Sequence, residues 1–195
     1  MNFLAHLYLS GEDKNVMIGN FIGDFVKGKD VALFEGNIKK GILLHREIDH
    51  FTDTHAIVKV SKKRLQPKYH HYAPVIADVF YDHFLSANWL DYSEKPLIDY
   101  TESFYALTKS YQSVIPAQAQ NMLKYMSAGN WLYNYQYVEG INQALTGMSK
   151  RTKFESKMEH ASKDLEKDYD AYKDEFEQFF PILKAHASAF LNNLK

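Results

Sequence analysis

The sequence contains no cysteine, which excludes disulfides and any thiolate-held zinc and leaves imidazole and oxygen as its metal-binding chemistry. Five prolines and nine glycines are sparse punctuation for 195 residues, and no alternating strand pattern flanked by turn residues occurs. No apolar run approaches the roughly 20 residues that a membrane-crossing helix needs. The opening Met1-Asn2-Phe3-Leu4-Ala5-His6 lacks a basic region, and His6 and Ser10 break its apolar stretch. No signal peptide is expected, and a cytoplasmic protein follows. Charge of one sign is missing as well: 23 basic and 24 acidic residues leave a net charge of −1, without the basic excess on which a general nucleic-acid binder relies. There is no P-loop, no dinucleotide-binding glycine fingerprint, no His-Glu-x-x-His and no nucleophile elbow.

What is present is helical periodicity. Apolar residues recur at three- and four-residue spacing almost throughout, so the chain reads as all-α, a helical bundle forming one domain over 1–195. Helices are expected over about 2–10, 14–28, 35–53, 54–65, 75–91, 96–111, 116–135, 137–149 and 153–193, the last bent or broken near Pro181 and reading as a solvent-facing amphipathic scaffold. Gly19 and Gly23 each cost a helix about 1 kcal/mol relative to alanine, which points to close approach of another backbone. The 14 tyrosines each need a polar exit for the hydroxyl, so many are expected along a groove or rim. Trp131 with Tyr133, Tyr135 and Tyr137 reads as core and rim packing.

The chemistry begins at residues 41–53. On a helix His45, Asp49 and Asp53 fall four apart on one face, a pattern that is either a solvated polar stripe or part of a divalent-metal site. Asp53 is two turns from His45, about 12 Å at 1.5 Å per residue, too far to share one ion and better read as a supporting or helix-end contact. Asp24 sits on an apolar segment where an unpaired carboxylate is costly. Asp78 and Asp82 are four apart with His83 adjacent, and a cation or Arg46 would relieve their repulsion. With Asn2 and His6 these make ten polar residues set into four apolar helices, suggesting a polar centre shared inside a bundle. Helical metal phosphohydrolases are built in this way, with a metal-activated water, an arginine fork on the phosphate and a histidine to protonate the leaving alkoxide. Carboxylates outnumber imidazoles in the set, which favours Mn²⁺ or Mg²⁺ over tetrahedral zinc. A separate basic run, Lys59, Lys62, Lys63, Arg64 and Lys68, is either a solvated helix end or a docking patch for an acidic partner.

Four motifs in order carry a resemblance: Met-Asn-Phe-Leu-Ala-His-Leu at the start, Gly19-Asn20…Asp24-Phe25-Val26-Lys27-Gly28, Gly41-Ile42…His45-Arg46-Glu47-Ile48-Asp49…Thr52-Asp53, and Asp78…Asp82-His83-Phe84-Leu85. Together they resemble the acyl-carrier-protein phosphodiesterases, all-α enzymes similar to HD-domain phosphohydrolases and dependent on a divalent ion, usually manganese. The resemblance implies hydrolysis of the diester joining 4′-phosphopantetheine to the acceptor serine of acyl carrier protein, an acidic helical partner for which the basic run would be the docking patch. It also implies Asp24, His45, Asp49 and Asp82 as metal ligands, Asp78 as a further ligand or support, Arg46 on phosphate, and His6 and His83 in proton transfer or ligand orientation. Relatives often carry a second histidine two residues after the first, where this chain has Tyr8. Two other readings are an HD-type phosphohydrolase of a nucleotide or small phosphodiester, and a non-catalytic acyl-carrier-protein binding module.

Overall fold

The structure, a computed structural model, describes residues 1–194. Among these residues it contains no strand, and its helices in order are α1 (Phe3–Leu9), α2 (Lys14–Ile22), α3 (Gly36–Thr54), α4 (Ala56–Tyr69), α5 (Ala73–Ala87), α6 (Leu97–Ser110), α7 (Ala117–Ala128), α8 (Trp131–Asn134), α9 (Val138–Ser149), α10 (Ala161–Lys167) and α11 (Tyr169–Asn193), with short 3₁₀ segments between some of them. The all-α expectation holds. Among the described residues no helix is long and apolar enough to cross a membrane.

The first helix shows how the fold compensates for a weak local signal. At seven residues α1 is too short to be stable alone, and Asn2 makes no side-chain cap bond. The cap comes from α5 instead: Asp82 accepts the N–H of Leu4 at 2.7 Å and of Ala5 at 3.2 Å. A carboxylate at this end of a helix satisfies free backbone donors and matches the dipole.

The last helix is the spine of the core. The aromatic face of α11, with Tyr172, Phe176, Phe179 and Phe180, is fully buried and packs on Phe80, Tyr81 and Phe84 of α5. A solvent-facing scaffold therefore describes only its other side. Pro181 lies inside α11 without ending it. The missing backbone bond is outweighed by Phe179, Phe180 and Leu183, all without exposed surface on either side of the proline.

Several expected boundaries move: the 54–65 helix runs on to Tyr69, and the 75–91 helix ends at Ala87. The 14–28 helix ends at Ile22 in a 3₁₀ turn, Gly23–Phe25. The 116–135 helix is two, parted at Asn130 with φ 41°, a left-handed conformation that asparagine tolerates. The 153–193 helix breaks at Asp168 rather than Pro181, and its expected first turns are irregular. Most tyrosines keep some exposed surface, as expected, but Tyr69, Tyr81, Tyr135 and Tyr172 are among the largest fully buried side chains. The hydroxyls of the first three find internal partners in Asp164, Ser61 and Asn2, which removes the need for a wet exit.

Candidate metal centre

Three glycines let the elements of the centre converge. A Cβ at Gly19 would lie 2.0 Å from Ile38 O, one at Gly41 2.2 Å from Val16 O, and one at Gly23 2.2 Å from His45 Cγ. Helices α2 and α3 therefore touch backbone to backbone, and the His45 ring fills the place of a side chain at position 23. At Gly19 this is the close approach of another backbone that was expected, whereas at Gly23 the neighbour is the His45 side chain.

Asn20, fully buried on α2, organises the two histidines. Its Nδ2 donates to His6 O at 2.8 Å and Ser10 Oγ at 2.9 Å, which turns Oδ1 toward His6 Nδ1 at 2.9 Å. Its backbone oxygen lies 2.8 Å from His45 Nδ1. Both partners are pure acceptors, so both Nδ1 atoms carry hydrogen. The Nε2 atoms then converge on Asp49, whose Oδ1 is 3.1 Å from His6 Nε2 and whose Oδ2 is 3.1 Å from His45 Nε2. Asp24 Oδ1, from the Gly23–Phe25 turn, lies 3.2 Å from His45 Nε2.

That geometry requires a positive charge. A neutral imidazole with its hydrogen on Nδ1 would point an Nε2 lone pair at carboxylate lone pairs, so either a proton or a cation must sit between them. A proton serves one ring only, because the rings stack with centroids 4.0 Å apart and two imidazolium charges at that distance repel. Burial opposes the charge on His45, but its bonds to Asp24 and Asp49 push its pKa up to about 9. Burial, and then the neighbouring His45, push His6 down to about 4. Burial acts against the charge on Asp49 too, yet its bonds to His45 and His6 hold the carboxyl well below the usual range. A cation serves both rings at once. His6, His45 and Asp49 offer ligand atoms all within 4.8 Å of one another, and this imidazole-and-carboxylate set fits a divalent metal ion.

The structure brings the remaining candidates together only in part. The Met1 amino group lies 3.2 Å from Asp78 Oδ1 and 3.5 Å from Asp49 Oδ1, so Asp78 borders the centre through an ammonium. Burial raises the pKa of Asp78, and raises that of Asp82 to about 7 against the pull of the Met1 ammonium and two backbone N–H groups. Asp82 is occupied in capping α1 and is not among the three clustered donors. His83 stays away from the cluster, because one step along a helix turns a side chain by about 100°. Its Nδ1 donates to Tyr135 O at 2.8 Å, and its Nε2 lies 3.0 Å from the Tyr169 hydroxyl. Arg46 Nη2 donates to Val26 O at 3.1 Å and Gly28 O at 3.2 Å, backbone just beyond Asp24.

The basic run is largely neutralised within the chain. Lys62 pairs with Asp53 at 2.6 Å and Lys68 with Asp164 at 2.7 Å, and Arg64 binds Glu175 through both arms at 2.6 and 3.0 Å while lying over Tyr172. Lys59 and Lys63 are exposed and have no carboxylate partner among the described residues. Asp53 thus makes the helix-end contact expected of it. Tyr8, two residues from His6, turns to Tyr92 O at 3.0 Å and Lys184 Nζ at 2.6 Å. Sequence reasoning missed Asn20 and the Met1 amino group as site members. The available signal for the first was a lone amide in the apolar run Val16–Ile22.

A family model described as acyl carrier protein phosphodiesterase matches residues 1–183. The chain belongs to the acyl carrier protein phosphodiesterase family. The acyl carrier protein phosphodiesterase of Enterobacter sp. (strain 638) is 32% identical over 188 residues, 96% of this chain and 97% of that protein. That of Yersinia enterocolitica serotype O:8 shows 32% identity over the same shares, and that of Escherichia coli O6:H1 33% over 192 residues, 96% and 98% of the two chains. No solved structure matches. The family match takes in every group of the centre, from Met1 to Asp82.

Proposed function

We propose that the chain is a divalent-metal-dependent phosphodiesterase that releases 4′-phosphopantetheine from holo-acyl carrier protein, cutting the diester to the acceptor serine. The observation that carries this reading is Asp49 bridging two histidine Nε2 atoms, in a chain whose family is named for that activity. His6, His45 and Asp49 would hold the ion, with Asp24 beside them. Mn²⁺ suits the mixed oxygen and imidazole donors, and Mg²⁺ is the second choice. When bound, the ion supplies a Lewis acid for a phosphoryl oxygen and a water of lowered pKa.

The chain's own groups supply the rest. Asn20 fixes both rings with Nε2 forward, as partners behind metal-binding histidines do. The Asp24 and Asp49 side chains are 57% and 39% exposed, which leaves one edge of the centre open to a diester carried on another protein. Arg46 is held on Val26 and Gly28, backbone just beyond Asp24, and its remaining N–H groups are suited to phosphate oxygens. Lys59 and Lys63 are the members of the basic run left to attract an acidic carrier. Kinship with HD-domain phosphohydrolases belongs to the same reading and is supported by His45 and Asp49 acting from one helix.

The test is to incubate the purified chain and Mn²⁺ with holo-acyl carrier protein and weigh the product. Loss of the phosphopantetheine mass, prevented by a chelator, is the expected result. Cleavage of a nitrophenyl phosphodiester without cleavage of the carrier would replace it with a small-diester hydrolase. Retention of the carrier on immobilised protein with no cleavage of either substrate would replace it with a binding module.

A further inference from the structure

A cavity of about 930 Å³ opens between α1, α2, α6 and α11, within the size range of small-molecule sites, about 300–1,000 Å³. It is separate from the metal centre. Tyr8, on its wall, projects from α1 about 200° around the helix from His6. Two features of its lining bear on what it holds.

The wall is apolar over much of its length, with Leu9, Met17, Phe104, Leu107 and Leu191 contributing. Lys14, Lys95 and Lys184 also line the cavity. Among the described residues no lysine of the three forms an ion pair with a carboxylate: Lys95 Nζ donates to Ser103 Oγ at 2.9 Å and Lys184 Nζ to the Tyr8 hydroxyl at 2.6 Å. Glu12 is the one acid among the lining residues and pairs with none of them.

We propose that this cavity binds a single-chain amphiphile with an anionic head, a long-chain fatty carboxylate. The chain lies along the apolar wall, where each methylene removed from water is favourable. The head meets the exposed Lys14, Lys95 and Lys184 at the wall, whose ammonium groups have no carboxylate partner among the described residues. The inference does not depend on the phosphodiesterase reading, because it uses no group of the metal centre.

Calorimetric titration of the full chain with dodecanoate, kept below its micelle concentration, tests it. One saturable site is expected, with dodecanol at least tenfold weaker and acetate silent. Ala106→Trp, at an exposed α6 position on the cavity wall, abolishes binding while the helical circular dichroism stays that of the wild type. Ser110→Trp provides a second block from the same helix face. Lys14→Glu together with Lys184→Glu weakens dodecanoate at least tenfold and dodecanol little. Asp49→Ala, which dismantles the metal centre, leaves dodecanoate binding intact. Absence of saturable heat would overturn the proposal, as would unchanged binding in both tryptophan variants. Equal affinity for dodecanoate and dodecanol would overturn the anionic head.

Discussion

His6 and His45 stack with 18° between their ring planes, and each places its Nδ1 against an oxygen of the same residue, Asn20. The centre therefore depends on a residue that offers no ligand of its own. Asn20 decides which nitrogen of each ring is free, and the free nitrogens decide where a positive charge must sit.

Asn20→Leu removes the side-chain oxygen behind His6 and leaves the backbone oxygen behind His45. His6 then loses its fixed orientation, and metal affinity is expected to fall by about 10–100-fold. Equilibrium dialysis with Mn²⁺, read by metal analysis, checks this, and an unchanged affinity would remove Asn20 from the account.

Asp49→Asn takes away the charge that both Nε2 atoms face. The expected loss of metal affinity exceeds that of Asn20→Leu. The His45 pKa, followed by NMR in metal-free protein, drops from its raised value toward the ordinary range because one of its two carboxylate partners is gone. A His45 that still titrates near pH 9 would show that Asp24 alone holds the proton.

Gly23→Ala places a methyl group where His45 Cγ lies 2.2 Å away. Overpacking of this kind typically costs about 1–3 kcal/mol, and here displacement of the ring also removes metal binding. Gly147→Ala is the control, because a Cβ there meets nothing within 4 Å in the last turns of α9. It is expected to raise stability by up to about 1 kcal/mol. Urea unfolding of the two variants separates steric conflict from loss of glycine.

Asp82 makes stability depend on pH. Its folded-state pKa is raised to about 7, so its contribution is fully present below the ordinary carboxylate value of 3.8 and is lost as pH rises through 7. Between pH 5 and pH 8 the wild type should therefore lose stability relative to Asp82→Asn, on the order of 1–3 kcal/mol, by the linkage of buried carboxylates, while His6, lowered to about 4, acts in the opposite sense in both proteins. Asp82→Asn cannot ionise and should show a shallower dependence over the same range. Parallel pH profiles in urea would exclude Asp82 as the cause.

The two halves of the basic run should behave differently. Lys59→Glu with Lys63→Glu is expected to lower kcat/KM on holo-acyl carrier protein, increasingly so at low salt, and to leave nitrophenyl diester hydrolysis and Tm unchanged. Arg64→Glu is expected to lower Tm, because it sets a carboxylate against the largely buried Glu175. Equal loss on both substrates in the lysine variant would remove the run from carrier recognition.

Local features are legible in the order of the amino acids. Periodicity decided the all-α fold, the spacing of His45 and Asp49 placed both on one turn-to-turn stripe of α3, and Gly19 and Gly23 marked where α2 would be approached. These features depend on residues within a turn or two of one another, so helix geometry alone makes them readable. Helix ends were less legible: Asn130 and Asp168 interrupt segments whose apolar spacing continues across the break. Tertiary structure decided what each polar group does. Asp82 is 78 residues from the Leu4 N–H it caps, and Arg64 is 111 from the Glu175 that neutralises it. Asn20 meets His45 across 25, and His83 is drawn to Tyr135 and Tyr169 on elements the motif does not contain. A charge or an imidazole shows in a sequence as a donor or acceptor without its partner. The partner is set by which helices pack together, and only the folded chain brings them within hydrogen-bonding distance.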